Sequence, residues 1–462
     1  MSPRPSGSDA EPGAGAGSGS GGADGGVRTP RAARRARGPR TALAALAALG
    51  AVGSLTVGAA AGSAQAAGAR TTAASPAARP AAGAPDLTGL RSALQSVVAA
   101  GSPGVFAQVS DTAGGGGTVS VGTGDRGANT PVDPLGQFRV GSITKNFTAV
   151  LVLQLEAQHL VDLDAPATGY LAAGVLPAGS RITVRELLNH TSGLYDYTND
   201  LLAGSTIPGY QNFRYQVYDP ADLVAQAVAQ GSQFTPGSRY QYSNTNFVVL
   251  GLLVEHVTAE PYAQVLADRV LTPLGLTHTR FYVPQTGIGG PHANGYLTDD
   301  DRSKPMLDAT EQTASWIWTA GAAISSTADL NAYWRALAAG TLMPQAQVAE
   351  METIAPIDST SGYGLGIRQY TLSCGVQVYG HDGIIEGYQT YSYTTKDGSR
   401  QLTVSANASN NGDVFAAERA ALDPAFCGKS TAPAGAARHA AADSARIADE
   451  ETKGLAPQAV RR

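Results

Sequence analysis

Two residues three positions apart, Ser142 and Lys145, have the types and spacing best suited to nucleophilic chemistry in this chain. A short extended run precedes them and an apolar run follows. We therefore expect Ser142 to open a helix and Lys145 to lie one turn later on the same face. A serine hydroxyl needs a base, and a desolvated lysine can serve where an arginine cannot. The alternative is a helix-capping serine beside a solvated lysine, but Lys145 is the only lysine before Lys304.

A second candidate group is Tyr242-Ser243-Asn244, which lies in a loop before an apolar helical run. A tyrosine close to a lysine ammonium is held towards the phenolate, because a nearby positive charge favours the charged form. Such a tyrosine can take the serine proton and return it to the leaving group. The Asn244 amide can hold a substrate carbonyl. The alternative is an aromatic loop that packs on the core.

The third candidate group is His381-Asp382-Gly383, which we expect at the end of a strand beside an edge of a sheet. A glycine there lets a substrate lie close to the backbone. A free N–H group can then complete an oxyanion hole with that of Ser142. Taken alone, the same three residues fit a β-turn with a surface histidine.

In this order the three groups resemble the motifs of the serine peptidases and esterases that are related to class C β-lactamases. Longer runs resemble the exported actinobacterial D-alanyl-D-alanine carboxypeptidases over about residues 85 to 430, both cysteines included. These runs are 138–142, 182–185, 190–197, 242–247, 292–297 and 324–327.

The resemblance implies a role for each matching residue. Ser142 is the acylated nucleophile, and Lys145 and Tyr242 move its proton. The substrate-binding residues implied are Asn244, Thr206, Trp316, Arg368, His381, Asp382, Gly383 and Ile384. Within this set, Asn244 binds the substrate amide, Trp316 walls the pocket and Arg368 attracts the terminal carboxylate.

Two positions depart from the pattern of that family. The family has threonines that serve the substrate carboxylate where this chain has Asp382 and Ile384. An aspartate facing a C-terminal carboxylate repels it unless the aspartate is protonated or turned away. The departure favours an esterase, or an amidase for a neutral substrate, over a strict carboxypeptidase.

The order of elements predicts an α/β (α+β) fold, and the resemblance implies the β-lactamase/DD-peptidase fold. Strand patterns lie near both ends of the chain and helical patterns lie between them. We expect an antiparallel sheet flanked by helices, with an inserted, mostly helical region and the active site between the two.

The chain ends carry targeting and linker patterns rather than core patterns. A Gly-rich stretch, an arginine cluster, an apolar run and Ala64-Gln65-Ala66 predict an export signal with an N-terminal extension over residues 1–67. A linker over 68–85 and the peptidase domain over 86–430 follow, and 431–462 form a disordered tail that can be removed. We expect a cleaved signal and a secreted protein without a stable membrane anchor. An uncleaved anchor is the main alternative.

The remaining composition narrows the class of protein. The 462 residues carry a net charge of -5 and no basic stripe, so we expect no nucleic-acid partner. Cys374 and Cys427 are not spaced as a zinc site, and no histidine spacing suits a metal. In an exported chain we expect them to form one disulfide, the alternative being two buried thiols.

We therefore predict a serine D-alanyl-D-alanine carboxypeptidase that acts through an acyl-enzyme on peptidoglycan stem peptides without a cofactor. We expect it to be a monomer that binds β-lactam antibiotics and is inhibited by penicillin. An esterase or β-lactamase of the same fold is the first alternative. A non-catalytic penicillin-binding sensor is an alternative of another class, and the intact Ser142, Lys145 and Tyr242 set argues against it.

Overall fold

The computed structural model describes residues 84–203 and 206–429. The predicted export signal over 1–67, all but the last two residues of the linker over 68–85 and the predicted tail over 431–462 lie outside the described residues. None of the described helices is both long enough and apolar enough to cross a membrane.

Helices dominate the middle of the chain and recur at both ends of its described part. They are α1 (Leu87–Ala99), α2 (Thr144–Ala157), α3 (Val184–Leu188), α4 (Thr198–Leu201), α5 (Thr206–Phe213), α6 (Pro220–Ala229), α7 (Asn244–Thr258), α8 (Tyr262–Leu266), α9 (Thr272–Leu274), α10 (Thr327–Ala338), α11 (Gln345–Met351), α12 (Gly412–Arg419) and α13 (Leu422–Phe426).

Strands lie mainly before α2 and after α11. They are β1 (Gly104–Asp111), β2 (Gly117–Asp125), β3 (Thr130–Pro131), β4 (Gln137–Arg139), β5 (Tyr296–Leu297), β6 (Leu307–Asp308), β7 (Ile324–Ser326), β8 (Ala355–Pro356), β9 (Ser361–Tyr363), β10 (Arg368–Thr371), β11 (Gln377–Ile385), β12 (Tyr388–Thr395), β13 (Arg400–Ala406) and β14 (Ala408–Ser409).

Local signals in the sequence explain several of these boundaries. Thr183 caps α3 as predicted, with Glu186 completing the capping box. Asp219 caps α6 and accepts a hydrogen bond from the backbone of Ala221. The Gly398 turn has a φ of 67° and joins β12 to β13, as the hairpin pattern predicted.

One large antiparallel sheet organises the domain. Its nine strands run in the order β3-β2-β1-β13-β12-β11-β10-β9-β8, so the first and last long strands of the chain are neighbours. Val105 on β1 pairs with Ala406 on β13, and Val109 pairs with Leu402. The predicted antiparallel sheet with flanking helices is therefore present, with the helical insertion between β4 and β8.

The two faces of the sheet are covered by different layers. Helices α1, α12 and α13 cover one face, with Leu90, Leu94, Phe415 and Phe426 fully buried. The second, larger core lies on the other face and contains most of α2, α7 and α10. We call these the back face and the front face; the residues predicted to be catalytic belong to the front face.

The sequence predicted that His381 lies beside an edge of the sheet, but strand β11 is internal. It is the sixth of the nine strands. Its pairing with β10 ends, however, at Gly380 opposite Arg368, whereas its pairing with β12 continues to Ile385. Among the described strands none pairs with residues 381–385 on the β10 side. This segment of β11 is therefore a local edge even though the strand is internal.

The predicted disulfide is formed. Cys374, in the turn between β10 and β11, is bonded to Cys427 at the end of α13. The bond joins the back-face helices to the strand pair that leads to His381.

Candidate active site

The turn that carries Ser142 fits against the local edge of β11. Gly141, Ser142 and Ile143 form a 3₁₀ turn between β4 and α2. Gly141 has a φ of +54°, and a Cβ atom there would lie 2.7 Å from the backbone nitrogen of Ile384. Only glycine suits both the left-handed conformation and the contact. The nucleophile turn and residues 383–384 are therefore pressed backbone to backbone.

Ser142 and Lys145 meet as the spacing predicted. The Nζ atom of Lys145 donates to Ser142 Oγ over 2.9 Å, to Asn244 Oδ1 over 2.7 Å and to the carbonyl oxygen of Ala320 over 2.8 Å. Lys145 is fully buried, whereas Ser142 keeps 9% of its surface exposed. The lysine is held by three oxygen atoms, and the serine is the member of the pair that a substrate can reach.

Tyr242 joins the pair formed by Ser142 and Lys145, as the predicted catalytic set requires. Its hydroxyl lies 2.9 Å from Ser142 Oγ, the same distance as Lys145 Nζ. The Lys145 ammonium also lies 4.8 Å from the centre of the Tyr242 ring. The serine hydroxyl therefore has two proton-transfer partners at hydrogen-bond distance, which is the arrangement that an activated nucleophile needs.

His190 supports Tyr242, a role that the sequence did not reveal. Its ring centre lies 4.2 Å from that of Tyr242. Its Nδ1 atom lies 3.2 Å from the Ser243 backbone nitrogen, which donates to it, and 3.1 Å from Asn246 Nδ2. Burial, and then the charge of Lys145, hold the pKa of His190 well below its usual value. A neutral ring therefore packs against the tyrosine.

Asn244 connects the catalytic lysine to a buried carboxylate. Its Oδ1 accepts from Lys145, while its Nδ2 donates to Asp196 Oδ2 over 3.0 Å and to Thr198 Oγ1 over 3.3 Å. The Asn244 backbone nitrogen donates to the same Asp196 oxygen over 2.9 Å. Asp196 thereby fixes which end of the amide faces Lys145. A hydrogen bond from Asn244 to a substrate carbonyl stays a prediction.

Asp196 is a buried neighbour of the predicted site to which the sequence assigned no role. Burial raises the pKa of its carboxyl group, and hydrogen bonds from Asn244 and Thr198 oppose that rise. The residue lies inside the run 190–197 that carried the family resemblance. Its contact with Asn244, 48 residues later, depends on the packing of α7 and could not be predicted from spacing.

His381 lies on the front face, as its predicted role requires. It is fully buried, and its Nε2 atom lies 2.9 Å from the hydroxyl of Tyr363. Burial is the main cause that lowers the pKa of His381, to about 3. The imidazole is therefore neutral at physiological pH and brings no positive charge to the site.

The expectation that Asp382 faces a substrate carboxylate is wrong. Asp382 and Arg368 are both fully buried, with 2.9 Å between Arg368 Nε and Asp382 Oδ1. Asp382 also accepts from the hydroxyl of Tyr393 over 2.8 Å, and the Ile384 side chain belongs to the back-face core. Side chains alternate along a strand, so positions 382 and 384 point away when position 381 faces the site.

Arg368 is consequently committed to a structural pair, which corrects its predicted role as an attractor of the terminal carboxylate. A Cβ atom at Gly383 would clash with the Val140 carbonyl oxygen and lie 3.0 Å from the Ser142 backbone nitrogen, so the close approach of the Ser142 turn requires glycine here. A contact of Gly383 with a substrate stays a prediction. Ile384 contributes its backbone to the site, through the contact with Gly141.

Trp316, which was predicted to wall the pocket, belongs to a packed aromatic group. Trp316 is fully buried, and its ring meets Phe213 edge to face with 5.3 Å between the centres. Its Nε1 atom donates to Gln312 Oε1 over 3.2 Å. A contact of Trp316 with a substrate stays a prediction. Thr206 is the first residue of α5, and its side chain lies outside the described part.

Metal ligands are not assembled in the described part of the chain. No group of three or more His, Cys, Asp or Glu residues there could hold a metal ion.

A serine between a lysine and a tyrosine, set where a helical region meets a local sheet edge, defines a serine hydrolase of the β-lactamase and penicillin-binding fold. The family model described as Beta-lactamase matches residues 90–425, and the chain belongs to that family.

Similar proteins include penicillin-binding proteins and amidases. Penicillin-binding protein 4 of Amycolatopsis lactamdurans is 26% identical over 288 residues, 58% of this chain and 71% of that protein. PbpX of Bacillus subtilis is 29% identical over 280 residues, 60% of this chain and 64% of its own length. This chain thus spans less than two thirds of PbpX.

Among solved structures, a D-stereospecific amidohydrolase from Streptomyces is 36% identical with a TM-score of 0.68. The match covers 75% of this chain and 100% of that one. A D-amino acid amidase from Ochrobactrum anthropi, 24% identical with a TM-score of 0.63 over 73% of this chain and 96% of its own, shows the shared fold.

Proposed function

We propose that this chain is a serine amidohydrolase that cleaves amide or ester bonds at the carbonyl group of D-configured amino acids through an acyl-enzyme on Ser142. The observation that carries the proposal is the position of Ser142 Oγ, 2.9 Å from both Lys145 Nζ and the Tyr242 hydroxyl. The preference for D-configured substrates is supported by the 36% identity to the Streptomyces amidohydrolase over that chain's full length.

The first step forms the acyl-enzyme. Ser142 Oγ attacks the substrate carbonyl carbon as its proton passes to the oxygen of Tyr242, which acts as the general base beside the Lys145 ammonium. The backbone N–H groups of Ser142 and Ile384 stabilise the oxyanion. The C–N or C–O bond then breaks, and the tyrosine proton goes to the leaving nitrogen or oxygen.

The second step releases the product. A water molecule attacks the ester carbonyl and gives one proton to Tyr242. The bond from the carbonyl carbon to Ser142 Oγ breaks, and Ser142 takes the proton back. The leaving group of an amino-acid amide carries no carboxylate, so the enzyme needs no cation to bind it. That suits a site in which His381 is neutral and Arg368 is paired with Asp382.

A serine D-alanyl-D-alanine carboxypeptidase is the second candidate. It is supported by the three sequence motifs, by His381 on the front face and by the similarity to penicillin-binding proteins. Within the same proposal, residues 1–67 direct secretion, which would bring the site to peptidoglycan stem peptides.

The two candidates differ in their substrates. Ammonia release from D-phenylalanine amide, well above that from L-phenylalanine amide, supports the amidohydrolase. D-alanine release from a peptide ending in D-Ala-D-Ala, blocked by benzylpenicillin, supports the carboxypeptidase. We expect Ser142→Ala to abolish both reactions and the acyl adduct seen by intact mass. An adduct that survives in this variant would show that another residue is the nucleophile.

A further inference from the structure

Glu386 occupies the turn between β11 and β12, two residues beyond Ile384. Two residues of a strand span about 6.6 Å. The Glu386 backbone is also tied to the pocket wall, because Gln312 Nε2 donates to its carbonyl oxygen over 2.9 Å and Gln312 accepts from Trp316. The Glu386 backbone therefore lies two residues from the Ile384 N–H group that the proposed mechanism places at the oxyanion.

One oxygen of the buried Glu386 carboxyl group lacks a hydrogen-bond partner among the described residues. The residue is only 5% exposed, and the oxygen that lacks the partner is Oε2. Asp382, by contrast, is met by Arg368 and Tyr393. Burial raises the pKa of Glu386 to about 7, and its own backbone N–H only partly opposes this. Such a group is costly unless a ligand supplies the missing cation or donor.

The surroundings of Glu386 suit a small cationic group. Its negative charge reaches Tyr210 on α5, where it adds to burial in raising the tyrosine pKa. The rings of Tyr210 and Phe213 lie 5.5 Å apart, and Phe213 packs on Trp316. A carboxylate beside aromatic side chains is a common way to hold an ammonium group.

We propose that Glu386 binds the free ammonium group on the acyl part of the substrate, so that amides and esters of D-amino acids with a free amino group are preferred over N-acylated ones. This inference rests on the proposed function. It places the α-ammonium, which lies next to the scissile carbonyl, within reach of the Glu386 side chain. The remaining substituent of the acyl residue packs against the aromatic wall.

The test compares two substrates in one preparation, so that any loss of folded protein cancels. We measure kcat/KM at pH 8 for D-phenylalanine amide and N-acetyl-D-phenylalanine amide by ammonia release. We expect the native chain to prefer the free amine by at least tenfold and Glu386→Gln to lose most of that preference. An equal preference in both chains, or a native chain that favours the acetylated amide, would overturn the inference.

A matched control and a second measurement separate this result from changes in folding. Glu418 is a fully buried carboxylate on α12 of the back face, and Glu418→Gln should keep the native preference. With the native chain alone, D-phenylalaninol should inhibit turnover of p-nitrophenyl acetate at least tenfold better than N-acetyl-D-phenylalaninol. Equal inhibition contradicts the role of Glu386, whereas no acylation by any amide or ester contradicts the proposed function itself.

Discussion

At the scale of single residues, Asp382 shows how a side chain at a motif position can serve the fold instead of the substrate. Its carboxylate and the Arg368 guanidinium are both fully buried. Removing one partner of a buried ion pair leaves the other uncompensated, which costs about 3–5 kcal/mol. We expect Asp382→Asn to lower the free energy of unfolding by that amount, measured by urea denaturation.

The same variant tests which way Asp382 faces. Its ratio of peptide to ester turnover should equal that of the native chain, because position 382 points to the back face. A changed ratio would place Asp382 in the substrate site. Replacing both partners, as Asp382→Leu with Arg368→Met, should recover part of the lost stability.

Asp196 does not contact Ser142 directly in this arrangement but holds the Asn244 amide, whose oxygen accepts a hydrogen bond from Lys145. Asp196→Asn weakens this anchor and lets the amide rotate. Small misplacements of a catalytic group lower rates by about 10²-fold. We expect acylation of Ser142 by p-nitrophenyl acetate to slow by roughly 10- to 100-fold in stopped-flow measurements. An unchanged acylation rate would mean that Lys145 is positioned without Asp196.

Glu386 makes stability depend on pH in a defined direction. Its pKa is about 7 in the folded chain, against an ordinary value of 4.5. The folded state therefore binds more protons than the unfolded state between these values, and stability falls as pH rises from 4.5 through 7. Glu386→Gln removes this loss. We expect it to stabilise the chain by on the order of 3 kcal/mol at pH 8.

The comparison with low pH checks the sign of that effect. Near pH 4.5 the native Glu386 is protonated in the folded state, so the variant and the native chain should unfold at nearly the same urea concentration. A gain in stability that is the same at pH 4.5 and pH 8 would assign it to packing rather than to the charge.

At the scale of elements, the sequence predicted what local patterns decide. The helix after Ser142, the capped α3 and the β12–β13 hairpin all follow from spacing, caps and turn residues. The meeting of Ser142 with Lys145 followed from one helical turn. The side of the sheet to which Asp382 points could not be predicted from local patterns. It depends on the register of β11 with β10 and on the pairing of Asp382 with Arg368, which lies on another strand. The contact of Asp196 with Asn244 could not be predicted either, because it also depends on packing between distant parts of the sequence.

The disulfide is the element-scale feature with the clearest energetic consequence. It links the β10–β11 turn to α13 across a sequence separation of 53 residues. The chain-entropy relation gives roughly 4 kcal/mol for a loop of that length. We expect Cys374→Ala with Cys427→Ala to lower the free energy of unfolding by about this amount. Because neither cysteine contacts the site, kcat in the folded state should not change; equal urea midpoints would show that the bond adds nothing.

At the scale of the whole molecule, the two ends of the described chain build one layer. Strand β1 pairs with β13, and α1 packs against α12 and α13 on the back face. These contacts join residues about 300 positions apart, so the sheet that carries His381 is complete only when β13 has paired with β1. The catalytic turn at Ser142 depends on that sheet through Gly141 and Ile384.

Two truncations separate the part of the chain that folding needs from the part that it does not. Ending the chain after Asn410 removes α12 and α13, and with them the buried side chains of Val414, Phe415, Leu422 and Phe426. Each is worth about 1.5–3 kcal/mol, or roughly 6–12 kcal/mol together, which rivals the 5–15 kcal/mol that typically holds a domain folded. We expect this variant to show no cooperative melting by circular dichroism and no acylation by p-nitrophenyl acetate.

The control variant ends after Lys429 and keeps both helices and Cys427. It should melt, and should be acylated, as the full chain is. Acylation by the shorter variant would mean that the site assembles without the back-face helices. It would contradict our inference that the sheet they cover positions the Ser142 turn.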